Sequence, residues 1–180
     1  MPCKTLLIEE NEVKEASSVS ITFPVEKMRP FILEAQDLEL PPLICDEYYA
    51  ELIDQAENDT LTPANETLLN DYLKPALARL SLYRILLFAG ISVVDSGIVR
   101  KSGLNSEPVA DEDMERRRIQ IRSDAKRYLN RMMAFLDDNI EDYQTFKTSD
   151  CACDDFVTVF DQNGREIKRP KADLDDPGIV

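Results

Sequence analysis

Apolar residues recur at helical spacing along most of this chain. Met28, Phe31, Ile32, Ala35 and Leu38 fall on one face of a helix that Thr22-Phe23-Pro24 introduces, with Pro24 near the first helical position. Pro30 lies inside that pattern and predicts a break or kink. Leu40-Pro41-Pro42 ends the element, and Ile44, Tyr48, Leu52 and Ala56 mark a second, shorter helix over residues 43–56. After the Asn58-Asp59 turn, Thr62-Pro63 reads as an N-cap followed by proline at the first position. Leu68, Leu69, Tyr72, Leu73, Ala76, Leu77, Leu80 and Leu87 then describe a long helix ending near Phe88. It is apolar around much of its circumference, which predicts the central core helix, and Pro75 predicts a kink within it. The longest helix is expected over residues 111–139. Asp111, Glu112, Asp113 and Glu115 fill its first turn, where carboxylates favour the helix dipole. Ile121, Ala125, Leu129, Met132, Met133, Leu136 and Ile140 form its buried stripe. It would span ~40 Å and lie antiparallel to the helix that ends at Phe88.

The remaining segments break that period. Ile91-Ser92-Val93-Val94 and Ile98-Val99-Arg100 flank Asp95-Ser96-Gly97, the pattern of a short β-hairpin. Two strands alone are marginal in water, so this projection is expected to pack on the helices or pair with a neighbouring molecule. Phe156-Val157-Thr158-Val159-Phe160, Asp161-Gln162-Asn163-Gly164 and Arg165-Glu166-Ile167 read as a second hairpin with an Asn-Gly turn. Residues 1–22 read as an arm: Thr5-Leu6-Leu7-Ile8 suits a short strand, and Glu9 to Ser20 shows no period. Such an arm has little to bury on itself and needs another surface to become ordered. The expected fold is mainly α: a small helical bundle built on two long antiparallel helices, with a short hairpin between them and extended terminal arms. The expected division is an N-terminal arm at 1–22, a helical domain at 23–147 and a C-terminal arm with its hairpin at 148–180.

Composition narrows the chemistry. With 43% hydrophobic residues in 180, the chain has material for one core. The longest apolar run, Ile85 to Val94, is interrupted by Gly90 and Ser92 and falls far short of the ~20 residues of a membrane span, so no membrane partner is expected. Acidic residues follow Thr5-Leu6-Leu7-Ile8 directly, unlike a secretory signal, and synthesis and residence in a cytoplasm-like compartment are expected. Cys3, Cys45, Cys151 and Cys153 have no framework spacing, and Cys151-Ala-Cys153 is not the redox spacing, so structural or incidental thiols are expected. There is no histidine, which removes the commonest general base and rules out Ser/His/Asp and Cys/His catalysis. Five glycines leave no phosphate-cradling loop, and no nucleotide-binding, calcium-binding or zinc signature is present. Asp137-Asp138 and Asp175-Asp176 read as wetted surface rather than metal sites. No catalytic residue, metal site or cofactor is assigned, and the chain is expected not to be an enzyme.

Charge is the remaining signal. The net charge is −14, and residues 1–75 carry 16 acidic side chains against 5 basic ones. Residues 115–131 reverse this: Arg116, Arg117, Arg118, Arg122, Lys126, Arg127 and Arg131 face only Glu115 and Asp124. Three readings stay open for these seven cations: solvated or intramolecular pairing, contact with acidic surfaces of other subunits, and direct DNA binding. The charges spread around the helix and only Tyr128 interleaves them, which weighs against DNA. The candidate interface residues are these seven together with Val93, Val94, Gly97, Ile98 and Val99 of the first hairpin.

The order of certain words along the chain carries a resemblance. Met28-Arg29-Pro30-Phe31-Ile32-Leu33-Glu34-Ala35-Gln36-Asp37 leads to Leu43, Tyr48 and Leu52. Asn65-Glu66-Thr67-Leu68-Leu69-Asn70-Asp71-Tyr72-Leu73-Lys74-Pro75-Ala76-Leu77-Ala78 and Ser96-Gly97-Ile98-Val99-Arg100 follow, then the Arg-rich helix with Tyr128-Leu129 and Phe135-Leu136. Over about residues 23–147 the chain resembles the small helical connector, or head-completion, ring proteins of tailed bacteriophages, the crAss-like and related phages of Bacteroidetes. The resemblance implies a ring, dodecameric in size, beneath the portal protein at the head–tail junction of the virion. Such a ring would contact tail or further ring proteins and extend the channel for double-stranded DNA, which passes without specific binding. Both terminal segments fall outside it. The other reading is a soluble acidic adaptor or regulator, a DNA mimic among the options, that binds a single protein partner outside any particle.

Overall fold

The computed structural model describes residues 4–17, 23–88, 91–94, 97–100, 111–148, 156–160 and 166–170, the strand residues among them by their backbone alone. The protein is mainly helical. Its elements are α1 (Glu10–Ala16), a 3₁₀ turn (Val25–Lys27), α2 (Arg29–Glu39), α3 (Pro41–Ile44), α4 (Asp46–Glu57), α5 (Pro63–Thr67), a π-helical turn (Leu68–Leu73), α6 (Lys74–Phe88), α7 (Asp111–Asp138), a second 3₁₀ turn (Ile140–Asp142) and α8 (Gln144–Thr148). Strands β1 (Ile91–Val94) and β2 (Gly97–Arg100) pair antiparallel with Val94 opposite Gly97, so Gly97 belongs to the ladder and not to the turn. Strands β3 (Phe156–Phe160) and β4 (Glu166–Pro170) pair antiparallel with Phe160 opposite Glu166. The Asn163-Gly164 turn, the tail beyond Pro170, Cys151 and Cys153 lie outside the described residues.

Helix α6 is the axis of the core, packed against α1, α2 and α7. Ala76, Leu77, Ala78, Leu80, Leu82 and Ile85 are buried along it, which is why its sequence is apolar on nearly every face. The contacts with α7 run in opposite senses along the two helices. Arg118 reaches Leu86, Arg122 reaches Tyr83, and Phe135 stacks on Tyr72 with ring centroids 4.2 Å apart. Ala125, Leu129, Met132 and Leu136 supply the buried stripe of α7.

Pro24, Pro30 and Pro41 act differently from the sequence expectation, each for a local reason. Pro24 caps the 3₁₀ turn, and Pro30 sits in the first turn of α2, where a missing N–H costs nothing. Pro41 opens α3 instead of only ending α2. Pro75 does not break the long helix. The turn just before it widens to π geometry, which accommodates the ring where a regular turn would clash with the carbonyl four residues back. Thr62 caps α5 as its residue type suggests, its hydroxyl accepting from the Asn65 amide at 3.2 Å.

The N-terminal segment is the largest correction. Residues 4–17 are not an extended arm awaiting a partner: they fold onto the bundle, with Leu7, Ile8 and Val13 in the core. At roughly 1.5–3 kcal/mol for each fully buried apolar side chain, this docking is a substantial part of the fold. Gln36 holds it in place, its Oε1 accepting from the Leu7 amide at 3.1 Å and its Nε2 donating to the Thr5 carbonyl at 3.0 Å. Arg29 donates to the Lys4 carbonyl at 2.6 Å, and Lys4 pairs with Asp37 at 2.7 Å. Helix α1 starts where the Glu12 carboxylate reaches back to the Glu9 amide at 2.8 Å, and Lys74 binds the same carboxylate at 2.7 Å. Burial pushes the Glu12 carboxyl up, but the Lys74 ammonium and the Glu9 amide outweigh it and hold the group below its ordinary 4.5.

Cys45, expected as a thiol, is instead disulfide-bonded, and its backbone sits at φ 66° where α3 turns into α4.

Candidate interaction surface

The basic segment lies within α7, whose buried stripe fixes which way each cation points. At about 100° per residue, Arg118 and Arg122 fall on the core side, while Arg116, Arg117, Arg127 and Arg131 share an arc of about 100° on the opposite side. The charges that read as spread around the helix are therefore two sets. Arg118 is half-buried: its Nη2 donates to the Leu86 carbonyl at 2.8 Å, and Glu115 lies 3.6 Å from its Nη1. Arg122 donates to the Tyr83 hydroxyl at 3.2 Å, with its guanidinium 5.3 Å from the centre of that ring. Both tie α7 to the C-terminal half of α6 through the inside of the molecule. Lys126 is half-buried and is likewise engaged.

The outward set differs. Arg116 approaches Asp113 only at 4.0 Å, with both side chains largely in solvent, an ion pair of little energetic weight. Arg117, Arg127 and Arg131 are exposed and have no hydrogen bond or ion pair among the described residues. Arg127 and Arg131, one helical turn apart, line a groove of about 420 Å³ together with Arg79 of α6, Tyr128 and Asp124. Arg79 also has no partner among the described residues, and Asp124 accepts from Gln120 at 3.0 Å without reaching any of the three guanidiniums. Three planar, permanently charged forks thus border one concave site beside an aromatic ring. Guanidiniums so placed suit carboxylates or phosphates approaching from outside.

Sequence reading missed Arg79. Its signal was a single cation in the apolar run Pro75 to Leu82, but only the packing of α6 against α7 brings it beside Arg127 and Arg131. Val93, Val94, Gly97, Ile98 and Val99 have their backbones paired in β1 and β2, and their side chains lie outside the description. Among the described residues no group of His, Cys, Asp and Glu is arranged to hold a metal ion, and no helix is long and apolar enough to cross a membrane.

Helix α4 has the opposite character. Asp46, Glu47, Glu51, Asp54 and Glu57 sit on twelve residues without one cation. Tyr48 and Leu52 face the core, so Asp46, Glu47, Asp54 and Glu57 share the outer face, with Ala50 between them. None of these four forms an ion pair among the described residues.

No curated protein and no solved structure matches this chain. One family model does, over residues 40–156, a span that contains α4 and the whole α6–α7 groove and leaves α1 and α2 outside. With well over half of its length matched, the chain belongs to this family, the family of unknown function DUF6712.

Proposed function

We propose that this protein is a non-enzymatic structural subunit of a tailed-bacteriophage particle, a head–tail connector whose copies form a ring between portal and tail. In this reading it is made in the host cytoplasm and resides at the head–tail junction, where the ring extends the channel for double-stranded DNA. The bundle built on two long antiparallel helices is the rigid body of each subunit, and the β1–β2 and β3–β4 hairpins are the pieces that reach neighbours.

The observation that carries the reading is the division of charge on α7. Inward cations are closed by Leu86 and Tyr83, whereas Arg117, Arg127 and Arg131 stay open on a chain with a net charge of −14. Open guanidiniums on a strongly acidic protein favour contact with other acidic protein surfaces, copies of itself or the portal, and the acidic remainder favours free passage of DNA over binding. The resemblance over residues 23–147 points the same way.

The test is direct. Purified particles should contain this protein in fixed ratio to the portal, and imaging it bound to the portal should show a closed ring whose copies can be counted. Its absence from particles ends the proposal.

A further inference from the structure

We propose that the groove between α6 and α7 is the receiving half of a contact between copies, and that its occupant is the outer acidic face of α4 from a second copy of this chain. This rests on the self-assembling subunit proposed above and names the surfaces that do the assembling. Arg127 and Arg131 are spaced by one helical turn, with Arg79 across the groove, and all three are unpartnered among the described residues. Asp54 and Glu57 are spaced by about one helical turn as well, on an exposed face that holds no cation; Asp54 accepts from the neighbouring Asn58 side chain at 3.1 Å, and neither carboxylate forms an ion pair among the described residues. Two helices crossing there match charge to charge at the same ~5–6 Å interval. Ala50, the small residue on that face, lets the second helix approach closely. Asp124 inside the groove selects against a purely anionic, closely packed ligand such as a nucleic-acid backbone, and an acidic helix with gaps between its carboxylates tolerates it.

The donor and acceptor surfaces are different patches of one chain. Their union is therefore head-to-tail, the arrangement that closes into a ring when the rotation per copy divides a full turn. Each junction leaves one free α4 face and one free groove, so a dimer is incomplete until further copies add.

Reciprocal charge reversal on the full-length protein tests this. One variant carries Arg127→Glu with Arg131→Glu, the other Asp54→Lys with Glu57→Lys, and sedimentation velocity reads assembly. All four positions are exposed, so thermal melts should match the parent; Arg127→Gln with Arg131→Gln provides a milder check of the groove. The parent should associate in a concentration-dependent way that weakens as salt rises. Each reversed variant alone should self-associate roughly ten- to hundredfold more weakly, and the neutral variant should fall between. An equimolar mixture of the two reversed variants should recover association, because each then offers the complement of the other. A parent that stays monomeric, variants that assemble like the parent, or a mixture that fails to recover each overturn the assignment. So does duplex DNA that binds the parent and not the Arg127→Glu, Arg131→Glu variant, since the groove would then be a phosphate site. A protein found in particles but indifferent to these reversals would leave the connector reading standing and remove this contact alone.

Discussion

The corner where α4 meets α5 and α8, and the outward face of α7, are both rich in groups that form hydrogen bonds, and they end up in opposite states. In the corner the Tyr48 hydroxyl donates to Asn65 Oδ1 at 2.7 Å, and Asn65 Nδ2 donates to Gln55 at 2.8 Å. The Tyr143 hydroxyl donates to the Ala64 carbonyl at 3.0 Å, and the Thr62 amide donates to Gln55 at 3.2 Å. Tyr48 also packs against the rings of Tyr143 and Phe146, 6.1 and 5.9 Å away. On the outer face of α7, Arg117, Arg127 and Arg131 have no partner among the described residues. The difference follows from water. Where the chain excludes it, an unpaired polar group costs a few kcal/mol, so the corner must be closed. Where water reaches, a guanidinium can remain open until another molecule displaces that water.

Alkali should break the contrast most completely. Burial pushes the Tyr48 hydroxyl far up, and nearby negative charge adds to it; burial first and Asp142 second raise Tyr143 from its ordinary 10.0 to about 12. A raised folded value means that the unfolded chain loses these protons first. Stability should therefore be flat with respect to these groups below pH 10.0, fall above it, and be lost as pH passes about 12. Tyrosinate absorbance from the corner should rise together with the loss of helical ellipticity; Tyr48 and Tyr143 titrating near 10.0 with helix content retained would show the corner to be open. Next in size, Phe146→Ala removes a fully buried ring beneath Tyr48 and should cost ~3–5 kcal/mol in chemical denaturation. Asn65→Ala strands the Tyr48 hydroxyl and removes one of the bonds to Gln55, and should cost ~1–3 kcal/mol, whereas an unchanged midpoint would mean water already serves the hydroxyl. Arg118→Met gives up the bond to the Leu86 carbonyl and should cost about 1 kcal/mol. Smallest of all, Arg127→Gln with Arg131→Gln should leave the melting midpoint within ~0.5 kcal/mol of the parent, because nothing in the described fold depends on them.

How far the sequence could be read depends on the range of the signals. Thr62-Pro63 and the acidic first turn of α7 are local devices, and the helices they open were legible from residues alone. Helix α1 was not, because its stability comes from far along the chain. Val13 is its one buried residue, Glu12 is held by Lys74, and the segment before α1 is held by Gln36. A segment with one apolar contact shows no period. The groove was half legible. The cations of α7 stood out by composition, and its apolar stripe already fixes that Arg118 and Arg122 turn inward, but the groups they meet, Leu86 and Tyr83, and the arrival of Arg79 come only through the packing of two helices.

The widened turn at Leu68–Leu73 has a consequence for that packing. A π turn takes in one residue more than regular helix would, so everything after it is re-phased by about 100° relative to everything before. The rim on which Arg79 stands is set by this offset as much as by its place in the sequence. Removing a single residue from the turn would rotate Arg79 a quarter of the way around the helix and leave Arg127 and Arg131 facing a different side chain.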